Sequence, residues 1–562
     1  MSFPNSIQLH RIPFSRRGAW LCLYRKNPGK TGGGLSTAPL SLRVLAGLLF
    51  DDSEVFDITM ERNGIDAPWN ESLRFDLLRL EPQNGGRAEF AFQDAATLRA
   101  RVQDSVLYFE QRNGAPIQTG EGEWRIRANT CNWLLISALE GTVEVRQKGD
   151  RWTLRLDGEK GPAEVLIHRT RCGGTIPEAK GTLADCAAMS RADFMEWSAC
   201  FPKISGDLAA LRDRELQTIW NLSVFAEGNF KRDVVLVSKG SLVGLWSWDH
   251  CWHMLGTAGI DPVLSWNNLM AMFDHQDANG GLPDVMAANQ FIWRYTKPPV
   301  HGWMIGLLES HYSWVTDTHR EEAYQGLTRL TNFWLNERCD PKDGLPFYFH
   351  GIDSGWDNST LFDEGVPLKT PDLATWLVLQ QDWLARTAAK LGKADEAEAW
   401  RRGAQALLEK LLERFWDGNA FVARLMGSDK PVASKSLQLK IPLLLGHRLP
   451  EKARQWCLDG LLDASRYWTP FGLRSEPLES EKFSADGYWR GAVWPVTVFI
   501  FVEALRVNGF EKEADMIING YLKHVEEAGN FENYRGDNGI GVRDTHFAWT
   551  ATCVVHFLKL RS

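Results

Sequence analysis

Four stretches rich in glycine and aromatic residues hold charged side chains in settings unlike a solvated helix face. Residues 241–259 (SLVGLWSWDHCWHMLGTAG) set Asp249 between Trp248 and His250, and residues 349–360 (FHGIDSGWDNST) place Asp353 and Asp357 around Gly355 and Trp356. Residues 486–495 (DGYWRGAVWP) carry Arg490 between Trp489 and Gly491, with Trp494 close behind. Residues 529–541 (GNFENYRGDNGIG) carry Glu532 beside Phe531 and near Tyr534. Glycine lets backbone approach a ligand closely, and aromatic walls with a few charges suit a pocket for a polar ligand. Two carboxyl groups on opposite faces of a sugar ring can cleave a glycosidic bond: one protonates the departing oxygen, the other draws a proton from water. In that chemistry apolar neighbours hold one carboxyl protonated near neutral pH while the other, in a more polar setting, stays ionised, and Asp249, Asp353, Asp357 and Glu532 are the candidates. Arg490 stays protonated and cannot be a base, which leaves it to hold hydroxyls or orient a carboxylate.

Each residue has a duller reading. Asp357, followed by Asn358 and Ser359, has the makings of a helix cap or an Asx-turn. Glu532 has Arg535 and Arg543 within reach as surface partners, Asp249 could serve an arginine or an indole, and Arg490 could belong to a buried ion pair. His250, His253 and His301 read first as satisfied core histidines. The acidic turn DHQDANGG (residues 274–281) puts a histidine where a calcium loop would begin, so neither a metal nor a cofactor is expected.

Composition narrows the class. The 562 residues are too many for one core, and a formal net charge of -8 argues against a nucleic-acid partner. Nine scattered cysteines form no C-x-x-C pair, so reduced thiols in a cytoplasmic protein are expected; homo-oligomerisation stays open. No stretch approaches the roughly 20 apolar residues of a membrane span, and the N-terminus shows no signal core. Most of the 25 tryptophans fall after residue 245, where flat indole faces suit a small carbohydrate, although packing explains any single one as well.

The elements that must position these residues divide in two. Alternating runs such as Val143 and Val145, Trp152, Leu154 and Leu156, then Val165 and Ile167, are separated by turns at Lys148-Gly149-Asp150 and Asp157-Gly158. They predict an antiparallel β-sandwich over residues 1–205. From residue 206 to 562 the period turns helical: Leu373, Leu377, Leu384, Ala388 and Leu391 share one face, as do Ala397, Trp400, Ala404, Leu408, Leu411 and Phe415. About twelve helices of roughly 11–12 residues fit that length.

The motifs GWDNS (355–359), YWRGAVWP (488–495) and ENYRGDNG (532–539) closely resemble those of glycoside hydrolase family 63, which includes mannosylglycerate and glucosylglycerate hydrolases, with trehalases more distant. WSWDHCWH (246–253) resembles the family's first loop and KPPVHGW (297–303) its QPPV segment. The helical stretch from Pro371 to Asp417 resembles the family's middle, so the likeness covers roughly residues 230–560 in order. It implies an (α/α)6 toroid after the sandwich, with Asp357 matching the general acid and Glu532 the general base. Trp248, Asp249, Trp356, Trp489, Arg490 and Trp494 match positions that shape the pocket for the terminal sugar. The implied activity is exo-acting, inverting hydrolysis of α-linked glucosides or mannosides, with small α-glucosides expected here. The family usually reads ENYNP-x-TG, so the loop after Glu532 departs from the pattern and bears on substrate recognition. A sugar epimerase would rely on histidines instead, a phosphorylase would need a phosphate pocket, and a non-catalytic sugar-binding protein would share the fold alone.

Overall fold

The computed structural model describes residues 9, 11–25, 39–45, 54–112, 115–148, 151–171 and 173–561. The turn residues Gly149 and Asp150, and Cys172, lie outside them. The chain divides into two compact units, one of residues 1–244 with 287–290 and 544–551, the other of 245–286, 291–543 and 552–562.

In the first unit, two antiparallel sheets face each other. One runs in spatial order Leu21–Arg25, Leu40–Val44, Glu54–Arg62, Val106–Gln111, Arg151–Asp157, Thr142–Lys148, with Ile65–Asp66 paired to Glu54–Arg62. The other runs Ile117–Gly120, Glu123–Asn129, Asn132–Glu140, Ala163–Thr170, Thr97–Gln103, Arg87–Asp94, Leu78–Pro82, Trp69–Leu73. Alternation drives the layering. Leu154 and Leu156 point into the core with Phe56 and Phe109, and Phe90, Leu134, Ile136, Val165 and Ile167 meet them from the other sheet. Such two-layer burial is how antiparallel strands with one apolar face become stable. Val143 and Val145 pack at the edge of that core.

Not all of the first 205 residues are strand. Helix α1 (Leu183–Ala199) begins at a capping box in which Thr182 and Asp185 satisfy each other's backbone N–H groups. Its buried side is Leu183, Cys186, Ala187, Ser190, Phe194, Trp197 and Ser198, a face that mixes small and polar residues with large apolar ones, so its period is faint in the sequence. Helix α2 (Leu208–Leu222) follows.

The second unit is helical. Helices α3 (Asp249–Thr257), α4 (Pro262–Met270), α5 (His301–His311), α6 (Asp317–Asn332), α7 (Pro371–Lys390), α8 (Ala394–Phe415), α9 (Glu451–Leu458), α10 (Pro495–Val507) and α11 (Glu511–Ala528) precede a last helix at Ala548–Lys559. They pack in pairs, α3 on α4, α7 on α8, α10 on α11. The partners differ in character. α3, α7 and α10 are buried nearly all round, whereas α8 buries one stripe (Ala397, Ala404, Leu407, Leu408, Leu411, Phe415) and α11 another. A helix apolar on every side belongs inside and an amphipathic one outside, so the pairs make an inner and an outer layer. The site-bearing loops leave the ends of the inner helices: Trp248 caps α3 and Trp494 caps α10.

Candidate active site

Asp357 follows a short 3-10 turn (Gly351–Ser354) that ends at Gly355 with φ of 74°, a left-handed position that glycine fills without strain. A Cβ there would lie 2.6 Å from the Trp248 ring, so the glycine also allows the loop to sit against the indole. Asp353 spends its carboxylate on structure. It accepts N–H groups of Thr296, Phe349 and His350 at 2.9, 2.8 and 3.2 Å and pairs with Arg338 at 2.6 Å. Asp357, four residues on, keeps 31% of its side chain exposed.

Asn358 ties this loop to the next motif. Its side chain donates to Gly487 O at 3.0 Å and accepts from Trp489 N–H at 2.9 Å, while its carbonyl accepts from Arg490 Nε at 2.9 Å. The Glu532 strand (Phe531–Tyr534) is fixed to the same loop by reciprocal backbone bonds between Val493 and Tyr534, at 2.8 and 3.0 Å. Three motifs separated by up to 175 positions in sequence (357 to 532) are thus stitched into one cluster.

Tyr488 stands at its centre. The hydroxyl donates to Glu532 Oε1 at 3.3 Å, and the Asp357 carboxyl lies close enough to act on it electrostatically. Its φ of 64° is left-handed, an unfavourable setting for a bulky side chain that the surrounding contacts impose. The Arg543 guanidinium lies 4.8 Å above its ring, and Trp494 Nε1 donates to its carbonyl at 3.2 Å. Burial, with Glu532 and Asp357 beside it, holds the phenol well above its ordinary pKa. Arg543 pairs with Asp486 at 2.8 Å and Arg535 with Asp537 at 2.7 Å.

A second ionic group backs Asp357. Lys297 Nζ lies 3.5 Å from Asp284 Oδ1 and 3.9 Å from Asp357 Oδ1, and donates to Ile352 O at 2.8 Å. Asp249, at the start of α3, faces the same lysine. Burial pushes Asp249 up to about 7, with Lys297 opposing and Asp357 and Asp284 adding to the rise. Burial likewise raises Asp357 and Asp284, with Lys297 the main opposing influence on each. Desolvation disfavours the charged form, and one ammonium among three carboxyl groups does not cancel it.

The indoles assemble as a stack. Trp489 and Trp494 are parallel at 3.9 Å between centroids, and Trp356 and Trp248 lie 4.8 and 6.3 Å from Trp489. All four are almost wholly buried, and much of their face area is spent on one another. Arg490 forms an ion pair with Asp363, which also takes Lys482 at 2.9 Å. Tyr488, Asn358, Asp284 and Lys297 are the residues sequence reasoning passed over. Tyr488 and Lys297 stood inside quoted motifs, and a lysine in the glutamine position of QPPV was the available signal.

Among the described residues one group has metal-ligand types together: His250, Cys251 and His301, with ligand atoms within 4.8 Å of one another. His250 Nδ1 bonds Trp246 O at 3.0 Å. Three ligands fall short of the four that a structural zinc takes. The turn at 274–281 is closed by Asp277, whose Oδ1 accepts from Gly281 N–H at 2.8 Å. Eight described cysteines are free thiols, and no helix among the described residues is long and apolar enough to cross a membrane.

Comparison with known proteins gives the lineage of this arrangement. The family model for the mannosylglycerate hydrolase MGH1-like glycoside hydrolase domain matches residues 243–550. A mannosylglycerate hydrolase of Rubrobacter radiotolerans is 22% identical over 397 residues, covering 55% of this chain and 89% of that protein. Mannosylglycerate hydrolase MGH1 of Selaginella moellendorffii is 27% identical over 221 residues, 38% of this chain and 43% of that protein. The crystal structure of a GH63 mannosylglycerate hydrolase from Thermus thermophilus in complex with Tris aligns with a TM-score of 0.54 at 21% identity, covering 62% of this chain and all of that one. A bacterial glucoamylase complexed with acarbose aligns with a TM-score of 0.60 at 10% identity, over 100% of this chain and 95% of the other. At these identities the structural likenesses speak for the fold, a sandwich followed by an (α/α)6-type helical domain. By the match over residues 243–550, the chain belongs to the mannosylglycerate hydrolase MGH1-like glycoside hydrolase family.

Proposed function

We propose that the helical region from residue 206 onward removes an α-linked glucose or mannose from the end of a small glycoside or oligosaccharide, with inversion. Asp357 is the general acid and Glu532 the general base. Asp249 and the Trp248, Trp356, Trp489 and Trp494 cluster shape the terminal-sugar pocket, and Arg490, paired with Asp363, braces its rim. The observation that carries this reading is the Tyr488 hydroxyl, which donates to Glu532 and has the Asp357 carboxyl beside it.

Burial raises the Asp357 pKa, the direction a general acid requires. The phenol donates to Glu532, a contact that favours the carboxylate form a base needs. The leaving oxygen accepts the Asp357 proton, and Glu532 takes a proton from the attacking water.

The names of the relatives make mannosylglycerate the second substrate to examine. Asp357→Asn and Glu532→Ala test the assignment. Each is expected to lower kcat by about a thousandfold or more while sugar binding by calorimetry persists. Turnover left unchanged in either variant removes the proposal.

A further inference from the structure

The surface beside Asp357 carries aromatic rings that the site described so far leaves unused. Phe349 is 51% exposed. One face of Phe349 is covered by the Arg338 guanidinium, 4.5 Å from its centroid, and its edge meets Phe347 at 4.9 Å. Arg338 is itself anchored on Asp353, so the ring is held from beneath. The next residue, His350, is exposed, with its ring 5.1 Å from that of Tyr295. Its Nδ1 accepts the Ile352 N–H at 3.1 Å, which places the hydrogen of the neutral imidazole on Nε2. A Cβ on Gly351 would lie 2.3 Å from the carbonyl oxygen of Asp357, so the residue after His350 runs directly against the Asp357 backbone.

An acid that protonates a leaving oxygen must touch the departing group, so the surface flanking it faces that group. We propose that Tyr295, Phe349 and His350 form an aglycone subsite that takes a second, neutral sugar ring. This rests on Asp357 acting as the acid. A pyranose offers C–H faces to aromatic rings and hydroxyls to a donor such as His350 Nε2. The cations beside the site already have partners: Lys297 Nζ lies 3.5 Å from Asp284 and 3.9 Å from Asp357, and Arg338 is committed to Asp353. Arg294, the nearby cation, lies 5.9 Å from the Tyr295 ring centroid.

The test compares kcat/KM for an α-linked disaccharide, the matching glycosyl fluoride and the matching glycosylglycerate, with glucose and mannose versions of each. The fluoride brings no second ring and reports the cleavage machinery without the subsite. In Phe349→Ala and His350→Ala the disaccharide-to-fluoride ratio is expected to fall about fivefold or more, and the wild type to prefer disaccharide over glycosylglycerate. Misfolded protein lowers both rates alike and cancels in the ratio. A smaller fall, or preference for the glycosylglycerate, overturns the subsite while fluoride turnover keeps the hydrolase reading intact. A wild type inactive on both fluorides overturns the hydrolase reading and the subsite with it.

Discussion

The sandwich and the helical region bury charge in opposite ways. Across the eight-stranded sheet, Arg79, Glu89, Arg101 and Glu164 lie directly opposite one another in register, each acid facing a cation. Contacts of 2.7 Å (Arg79–Glu89) and 2.8 Å (Arg101–Glu164) close the ladder, and Arg99 shares Glu164 from within. In the helical region Asp249, Asp284 and Asp357 converge on one lysine. Matched charges fix strand register and little else. Burial raises all three acids, Asp249 to about 7, the direction that proton transfer requires.

The largest expected break in this contrast is on the sandwich side. Glu164→Ala leaves Arg99 buried without its counter-ion and should cost about 3–5 kcal/mol in chemical unfolding. A loss below about 1 kcal/mol would mean the ladder is not what secures the sheet.

On the helical side, Tyr488→Phe removes the hydroxyl that donates to Glu532. We expect kcat/KM to fall about 10–100-fold, the range for losing a hydrogen bond to a charged group, with far-ultraviolet circular dichroism unchanged. An unaffected rate would make the phenol a bystander.

Asp249→Asn probes the same imbalance through stability. Because burial raises Asp249 to about 7, the folded state binds its proton more tightly than the unfolded chain. Its favourable contribution is therefore complete below the ordinary carboxylate pKa and lost as pH rises toward 7. The drop in Tm between pH 5 and pH 8 should narrow by about 2 °C or more in the variant. An identical drop in both proteins contradicts the raised value.

The smallest effect is expected from Lys297→Gln. Loss of the ammonium 3.9 Å from Asp357 disfavours the carboxylate, so its pKa rises further. The alkaline limb of kcat/KM against pH should move up by about half a unit. A downward shift reverses the sign of the argument.

These effects also mark what the sequence could and could not reveal. The paired helices Pro371–Lys390 and Ala394–Phe415 and the strands around Val143, Leu154 and Val165 were legible because each repeats one apolar period for several turns or residues. Helix α1 was not, since its buried face mixes Ser190, Ala187 and Cys186 with two aromatics. The motifs of Asp357 and Glu532 stand out in the sequence by their dense aromatic and glycine neighbours, and the structure joins their loops through Asn358 and Val493. Tyr488 was hidden because its role depends on a left-handed backbone turn and on partners 131 positions before and 44 after it (357, 488, 532). Lys297 and Asp284 escaped because ion pairing across a fold leaves no periodic trace.

The account stands on Asp357 protonating the leaving oxygen while Glu532 directs water to the opposite face. Proton NMR of the wild-type enzyme acting on an α-linked disaccharide, recorded within the first minutes, reads that geometry directly. The β-anomer of the released sugar is expected first, with the α-anomer appearing only as mutarotation proceeds. An α-anomer formed first would contradict the mechanism.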